Sequence, residues 1–139
     1  MPKADLVATC RELARESGGS VTLTSSVEEA CTGADVVYTD IWVSMGEPAE
    51  LWEERIKLLS PYQVNNRVID LMAPTGIFMH CLPAFHDTET TIGAEIAERF
   101  GITEMEVTDE VFRGSRSRVF DEAENRMHSI KAIIYATLK

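Results

Sequence analysis

Two imidazoles, a thiol, a carboxylate and a proline fall within His80-Cys81-Leu82-Pro83-Ala84-Phe85-His86-Asp87. A thiol among histidines can be a nucleophile, a metal ligand or a polar contact to a bound molecule. A fourth reading makes Cys81 a small buried hydrophobe. Neighbouring residues of a strand face opposite sides, so His80 is badly placed as a direct base for Cys81. A zinc centre needs four ligands at recognised spacings. His80, Cys81, His86 and Asp87 contain no CxxC pair, and Cys10 and Cys31 lie far off in sequence. No metal is expected. Pro83 favours a ligand site, because it constrains how the preceding carbonyls are presented and allows a cis bond after Leu82.

Asp40 ends the apolar run Asp35–Asp40 and leads into Ile41-Trp42-Val43-Ser44-Met45-Gly46-Glu47. A carboxylate there either caps a turn or holds a ligand. Ser44-Met45-Gly46 adds a hydroxyl and backbone donors on a loop with a glycine. Asp suits an ammonium, and hydroxyl and N–H groups suit a carboxylate, so the combination points to an α-amino acid. Asp87 and Glu47 read as surface or capping groups. Arg126, in Glu124-Asn125-Arg126-Met127-His128, sits at the margin of an apolar helical stripe one turn before Ile130. A guanidinium there is either salt-bridged or a fork for carboxylate or phosphate.

These residues need elements to hold them. Gly76–Met79 reads as a buried strand after a Pro74-Thr75-Gly76 turn, and Asp35–Asp40 as another. Open α/β sheets place ligands at the carboxyl ends of their strands, so two such ends side by side make one pocket. The remaining pattern predicts a helix over 3–17 stopped by Gly18-Gly19, a strand over Val21–Thr24, and a short helix from Val27 to Cys31 capped by Ser25-Ser26. Pro48 opens a helix carrying Leu51, Trp52, Ile56 and Leu59, broken at Ser60-Pro61. A short helix spans the Val64–Met72 region. A helix runs from Thr91 to Phe100 and closes at Gly101. Met105–Thr108 reads as a last strand. Residues 113–118 read as a solvated basic loop, with a phosphate or partner contact as the alternative. A long helix over 119–138 ends the chain.

The order of elements specifies an α/β fold: a three-layer, Rossmann-like parallel sheet with flanking helices and a long C-terminal helix. Such folds usually begin with a buried strand, and this chain begins with a helix. Residues 130–136 are also apolar on more than one face. Both features lead to the expectation that the first strand is lacking and that the chain is part of a larger protein.

The 139 residues suffice for one domain, 1–139. A net charge of −10 argues against a nucleic-acid partner. No apolar run approaches the ~18 residues of a membrane span, and the N-terminus has no apolar signal core. Three cysteines without paired spacing fit reduced thiols in the cytoplasm.

Three segments together resemble the ornithine carbamoyltransferase family: Asp40–Glu47, His80–Asp87, and Phe120-Asp121-Glu122-Ala123-Glu124-Asn125-Arg126-Met127-His128, with Asp109-Glu110-Val111-Phe112 as a further match. The resemblance covers almost the whole chain. It implies the L-ornithine-binding domain of an enzyme of arginine metabolism, the urea cycle included, that needs no metal or organic cofactor. In that family an N-terminal domain holds carbamoyl phosphate, the ornithine δ-amine attacks its carbonyl carbon, and citrulline and phosphate leave. By the resemblance, Asp40, Ser44 and Met45 bind the amino-acid end, with Ser44–Gly46 in a closing loop. Cys81 lies next to the δ-nitrogen, Leu82 offers its carbonyl, and Arg126 reaches carbamoyl phosphate. Asp40, Cys81 and Arg126 are thus the implied catalytic set.

The family's Ser-Thr-Arg-Thr loop, His-Pro-x-Gln motif and opening asparagine segment do not occur in this sequence. The carbamoyl-phosphate domain is therefore expected to be absent from the chain, which alone would be inactive. The family's trimer-based assembly rests mainly on that domain. Two alternatives stand beside this reading: part of a carbamoyltransferase for a related amine such as lysine or putrescine, and a non-catalytic amino-acid-binding or partner module.

Overall fold

Short apolar runs alternate with amphipathic ones along this chain, and the result is an α/β fold with a parallel sheet flanked by helices. The computed structural model describes residues 2–44, 46–48 and 50–138. The chain divides into two units after Ala30.

In the first unit, α1 (Ala4–Glu16) carries Asp5 in its first turn and Arg15 in its last, each complementing the helix dipole. None of its residues is buried. Gly18, at φ 76°, lets the chain leave the helix. Val21–Thr24 does not form the expected strand. A strand requires a ladder partner, and in this unit the Val21 carbonyl accepts instead from Arg11 Nε at 3.3 Å. α2 (Val27–Cys31) begins as expected, with Ser26 Oγ accepting the Glu29 N–H at 3.1 Å.

The second unit holds the sheet. β1 (Val36–Thr39) pairs in parallel with β2 (Ile77–His80), in the register Val36↔Ile77 through Thr39↔His80. β2 thus starts one residue later than expected and includes His80. Phe78 and His80 are buried, whereas Ile77 and Met79 face the other way and are only partly covered.

The other edge of β2 is met by the basic loop. Phe78 N–H donates to the Arg116 carbonyl at 3.0 Å, and Arg118 N–H donates to the Phe78 carbonyl at 2.9 Å. Arg116 donates from Nη1 to the Ile69 carbonyl and from Nη2 to the Pro74 carbonyl, at 2.9 and 2.8 Å. Arg118 Nη1 bonds the Ser115 and Ser117 carbonyls. The expected solvated loop is therefore a structural strap, in which the Arg116 and Arg118 guanidinium groups satisfy backbone carbonyls.

The expected last strand shrinks to one rung. Val107 bridges Val64 in parallel, but Asn65 immediately caps a helix and ends the extended run. α3 (Glu50–Leu59) passes into a 3-10 turn at Ser60–Tyr62, and α4 (Asn66–Leu71) follows. Pro48 lies just before α3, its carbonyl accepting the Leu51 N–H at 3.0 Å. α5 (Thr91–Phe100) is capped by Thr90 Oγ1 on the Gly93 N–H and stopped by Gly101 at φ 70°. A short α6 (Asp109–Phe112), not anticipated as a helix, precedes α7 (Val119–Thr137).

Trp42, Val43, Phe85, Ile96 and Met105 form one buried cluster, with Trp52, Ile56 and Phe100 packed at its margin. Trp52 stacks on Phe100 at 6.5 Å. Each such side chain contributes about 1.5–3 kcal/mol by leaving water. The cluster takes in residues just past the ends of both strands, so the two strand ends are anchored in the same core. On α7, Val119 alone is buried, and Ile130, Ile133 and Ile134 are 46–62% exposed. The apolar stripe read from sequence is present and uncovered. Among the described residues, no helix is long and apolar enough to cross a membrane.

Candidate functional site

Because Thr39 and His80 are register partners, the next residue on each strand, Asp40 and Cys81, emerges at the same edge. The Cys81 thiol donates to Asp40 Oδ1 at 2.9 Å, and the Ile41 N–H donates to the same oxygen at 2.8 Å. The thiol bond, then the Ile41 N–H, hold the Asp40 carboxyl below the usual carboxylate range, against the smaller opposing effect of burial. Burial first, and the bond to Asp40 second, push the Cys81 thiol up to about 11. At neutral pH the pair is therefore an anionic carboxylate beside a protonated thiol. A cysteine nucleophile or metal ligand needs the opposite bias, toward thiolate.

Leu82 follows, about half exposed, with a cis bond to Pro83. Cys81, Leu82 and Arg126 line one cleft of about 790 Å³, with Tyr38 and Glu122 on its wall. Arg126 arrives from α7, so three elements meet at the cleft. Tyr38 Oη donates to Glu122 Oε1 at 2.6 Å. That bond, chiefly, pushes the phenol up to about 12. Glu122 Oε2 has no hydrogen-bond partner among the described residues.

Ser44 is not among the residues lining the cleft. Its N–H donates to Glu47 Oε2 at 2.8 Å, and Glu47 Oε1 lies 3.6 Å from Arg55 Nη2. Glu47, expected to be a surface or capping group, takes the capping role and braces the loop. Met45 lies outside the described residues. The structure thus gathers Cys81, Leu82 and Arg126 around one space, ties Asp40 to Cys81, and places Ser44 on the braced loop.

The two histidines of the opening motif are both engaged. His80 is buried and contacts the Cys81 carbonyl through Nδ1. His86 Nδ1 lies 2.7 Å from Asp109 Oδ1, and its ring stacks on Phe112 at 3.6 Å. Arg113 bonds Asp109 at 2.8 Å and Asp87 at 3.0 Å. Its bond to Asp109 is the main reason that this carboxyl sits low. His86, Asp87 and Asp109 stand close enough together to share a cation. Arg113 already supplies one, so the group reads as a clamp on α6, and Asp87 is part of that clamp.

Tyr38, Glu122 and Glu106 were missed from sequence. Two signals were available. Tyr38 is two residues before Asp40 on a strand and shares its face. Glu122 is four residues before Arg126 on a helix and shares its face. Glu106 carried no such signal.

Residues 1–137 match the family model described as aspartate/ornithine carbamoyltransferase, Asp/Orn binding domain. A catabolic ornithine carbamoyltransferase of Treponema denticola is 61% identical over 137 residues, covering 99% of this chain and 40% of that protein. An ornithine carbamoyltransferase of Staphylococcus aureus is 54% identical over 138 residues, 99% of this chain and 41% of its own length. Among solved structures, the ornithine carbamoyltransferase of Pyrococcus furiosus is 38% identical with a TM-score of 0.75, over 96% of this chain and 37% of that one. The Giardia lamblia ornithine transcarbamoylase is 32% identical with a TM-score of 0.73, over 96% and 36%. The chain spans about 40% of the length of the curated relatives it matches.

Proposed function

We propose that this chain, which belongs to the aspartate/ornithine carbamoyltransferase family as its Asp/Orn-binding domain, holds L-ornithine for carbamoyl transfer. The observation that carries the reading is the bond from Cys81 to Asp40 at the paired strand ends, beside a cleft that also receives Arg126. Asp40, Ser44 and Met45 take the amino-acid end of ornithine. Cys81 and the Leu82 carbonyl flank the δ-nitrogen. Arg126 reaches the carbamoyl phosphate, which a second, N-terminal domain holds. The setting is arginine metabolism in the cytoplasm. Cys10, Cys31 and Cys81, all unpaired, support that compartment.

The chemistry asked of these residues is positioning and charge. An ornithine δ-amine resembles lysine, with a solution pKa near 10.4. It attacks only as the neutral amine. A protonated thiol adds no negative charge beside the nitrogen, so it does not stabilise the ammonium form. The nitrogen lone pair forms the new N–C bond, the bond from that carbon to the phosphate oxygen breaks, and the nitrogen gives up a proton. Citrulline and phosphate leave. Holding the amine in line with the carbonyl supplies much of the rate, since proximity is worth about 7–11 kcal/mol in favourable cases.

Mixing the chain with a carbamoyl-phosphate-binding domain and assaying citrulline tests the reading. Activity in the mixture, none from either part alone, and competition by ornithine analogues with an α-amino acid end are expected. Preferential use of putrescine or lysine would move the chain to a related amine transferase. Ornithine binding without citrulline in the mixture would leave a non-catalytic binding module.

A further inference from the structure

Among the described residues, His80 and Glu106 are the buried polar side chains, both at 0% exposure. His80 Nε2 lies 3.4 Å from Glu106 Oε1. Apolar side chains of similar volume would fill such a place at least as well if only packing mattered. Each of the two also reaches backbone, at opposite ends of the same turn. His80 Nδ1 contacts the Cys81 carbonyl. Glu106 Oε1 accepts the Phe85 N–H at 2.6 Å. Between those two anchors lie the Cys81 thiol and the Leu82 carbonyl. The remaining polar atoms, His80 Nε2 and Glu106 Oε2, have no hydrogen-bond partner among the described residues. The 3.4 Å approach places the two side chains against each other, so the two backbone anchors of the turn share one buried site.

We propose that His80 and Glu106 are a positioning pair, lying beneath the 81–85 turn, that sets where the Cys81 thiol and the Leu82 carbonyl stand. His80 lies among the residues bordering the cleft, Glu106 does not, and both are fully buried. His80 fixes the peptide plane after Cys81, and Glu106 fixes the far end of the turn. The orientation that lets the thiol meet Asp40 at 2.9 Å follows from both. The catalytic meaning of the pair rests on the proposed function; the placement of the thiol does not.

The experiment reads the thiol directly in this chain. Cys10→Ser removes the exposed thiol, and Cys31 is buried. The rate of Cys81 alkylation by iodoacetamide is followed against pH in His80→Asn, His80→Gln, Glu106→Gln and Glu106→Leu. Cys81 is faced by Asp40, Glu122, Tyr38 and the Ile41 N–H, none of which is changed. His80→Asn keeps a donor at the Nδ1 position and should stay within about threefold of the parent; so should Glu106→Gln, which keeps the acceptor for Phe85. His80→Gln loses the contact to the Cys81 carbonyl, and Glu106→Leu loses the Phe85 anchor. Both should alkylate at least tenfold faster at pH 8, because the thiol leaves Asp40. If Glu106→Leu does not fold, His80→Gln against His80→Asn decides. Variants that lower the melting temperature but leave the alkylation profile unmoved would reduce the pair to core packing and overturn the inference. Ornithine affinity, measured in parallel, should fall with the same variants. A parent chain that yields no citrulline when mixed with a carbamoyl-phosphate-binding domain, while His80→Gln still shifts the profile, would count against the function and leave the positioning pair standing.

Discussion

Tyr38 Oη and Glu122 Oε1 meet at 2.6 Å across 84 residues of sequence. The bond ties β1 to the first turn of α7, a helix that is otherwise almost wholly exposed. It also joins two residues of the cleft wall and keeps Arg126, one turn further along α7, facing the same space.

That bond should be visible as a late tyrosine titration. Tyr38 ionises at about 12, mainly because its proton is held by Glu122. A free tyrosine ionises near 10. The folded value lies above the unfolded one, so the stabilisation is complete below about pH 10 and is lost as pH rises toward 12. An ultraviolet titration of the parent minus Tyr38→Phe isolates this phenol from Tyr62 and Tyr135. Glu122→Gln should move the midpoint down toward 10. An unchanged midpoint would show that the tether does not form in solution.

The Asp40–Cys81 pair predicts stability effects at both ends of the pH scale. The Cys81 value is raised, so its contribution is present below about 8.5 and lost toward 11. The Asp40 value is lowered, so its contribution is present above about 3.9 and lost as pH falls through the folded value. Asp40→Asn should remove the acid-side slope from a plot of denaturation midpoint against pH and shrink, without abolishing, the alkaline one, because burial is the larger cause of the thiol's shift. It should also bring the thiol down from about 11 toward the ordinary cysteine range. A thiol that stays near 11 in that variant would assign its shift to burial alone.

Gly93→Ala should destabilise the chain although it places a better helix former in α5. A methyl group there would lie 2.4 Å from the Asp87 carbonyl oxygen and 3.0 Å from Thr90 Oγ1. Helix propensity favours alanine by about 1 kcal/mol, and overpacking against backbone costs about 1–3 kcal/mol. A net loss in urea denaturation is expected. A gain would mean that the 86–90 segment yields easily, and that its clamp on α6 is loose.

The uncovered apolar face of α7 should make the chain associate as its concentration rises. Ile130, Ile133 and Ile134 are exposed together on it. Ile133→Lys with Ile130→Lys should lower the weight-average mass in sedimentation and reduce binding of an apolar dye. Equal sedimentation of parent and variant as monomers would remove the expectation.

Much of the helical framework was legible because helices carry their own signals. Thr90 and Gly101 bracket α5 as Ser, Thr and Gly caps should, and the α7 stripe is local periodicity. Strands were less so. Val21–Thr24 and Met105–Thr108 have the composition of strands, yet a strand exists only when a neighbour completes its ladder, and that neighbour is not encoded locally. At the site, Asp40 and Cys81 were legible as strand ends. Their mutual hydrogen bond was not, since it depends on the Thr39↔His80 register. The basic run 113–118 was misread because charge says nothing about which carbonyls lie nearby. Arg116 finds Ile69 and Pro74 only once α4 and the following turn are folded beneath it.

The strap along β2 has one last effect. β2 is paired along β1 on one flank and held at Phe78 by Arg116 and Arg118 on the other. Among the described residues, no strand is hydrogen-bonded to the far side of β1. Any widening of the sheet is therefore one-directional. A further strand, from whichever chain supplies it, must take its register from Val36–Thr39, and a lysine or proline in that short edge would be enough to block it.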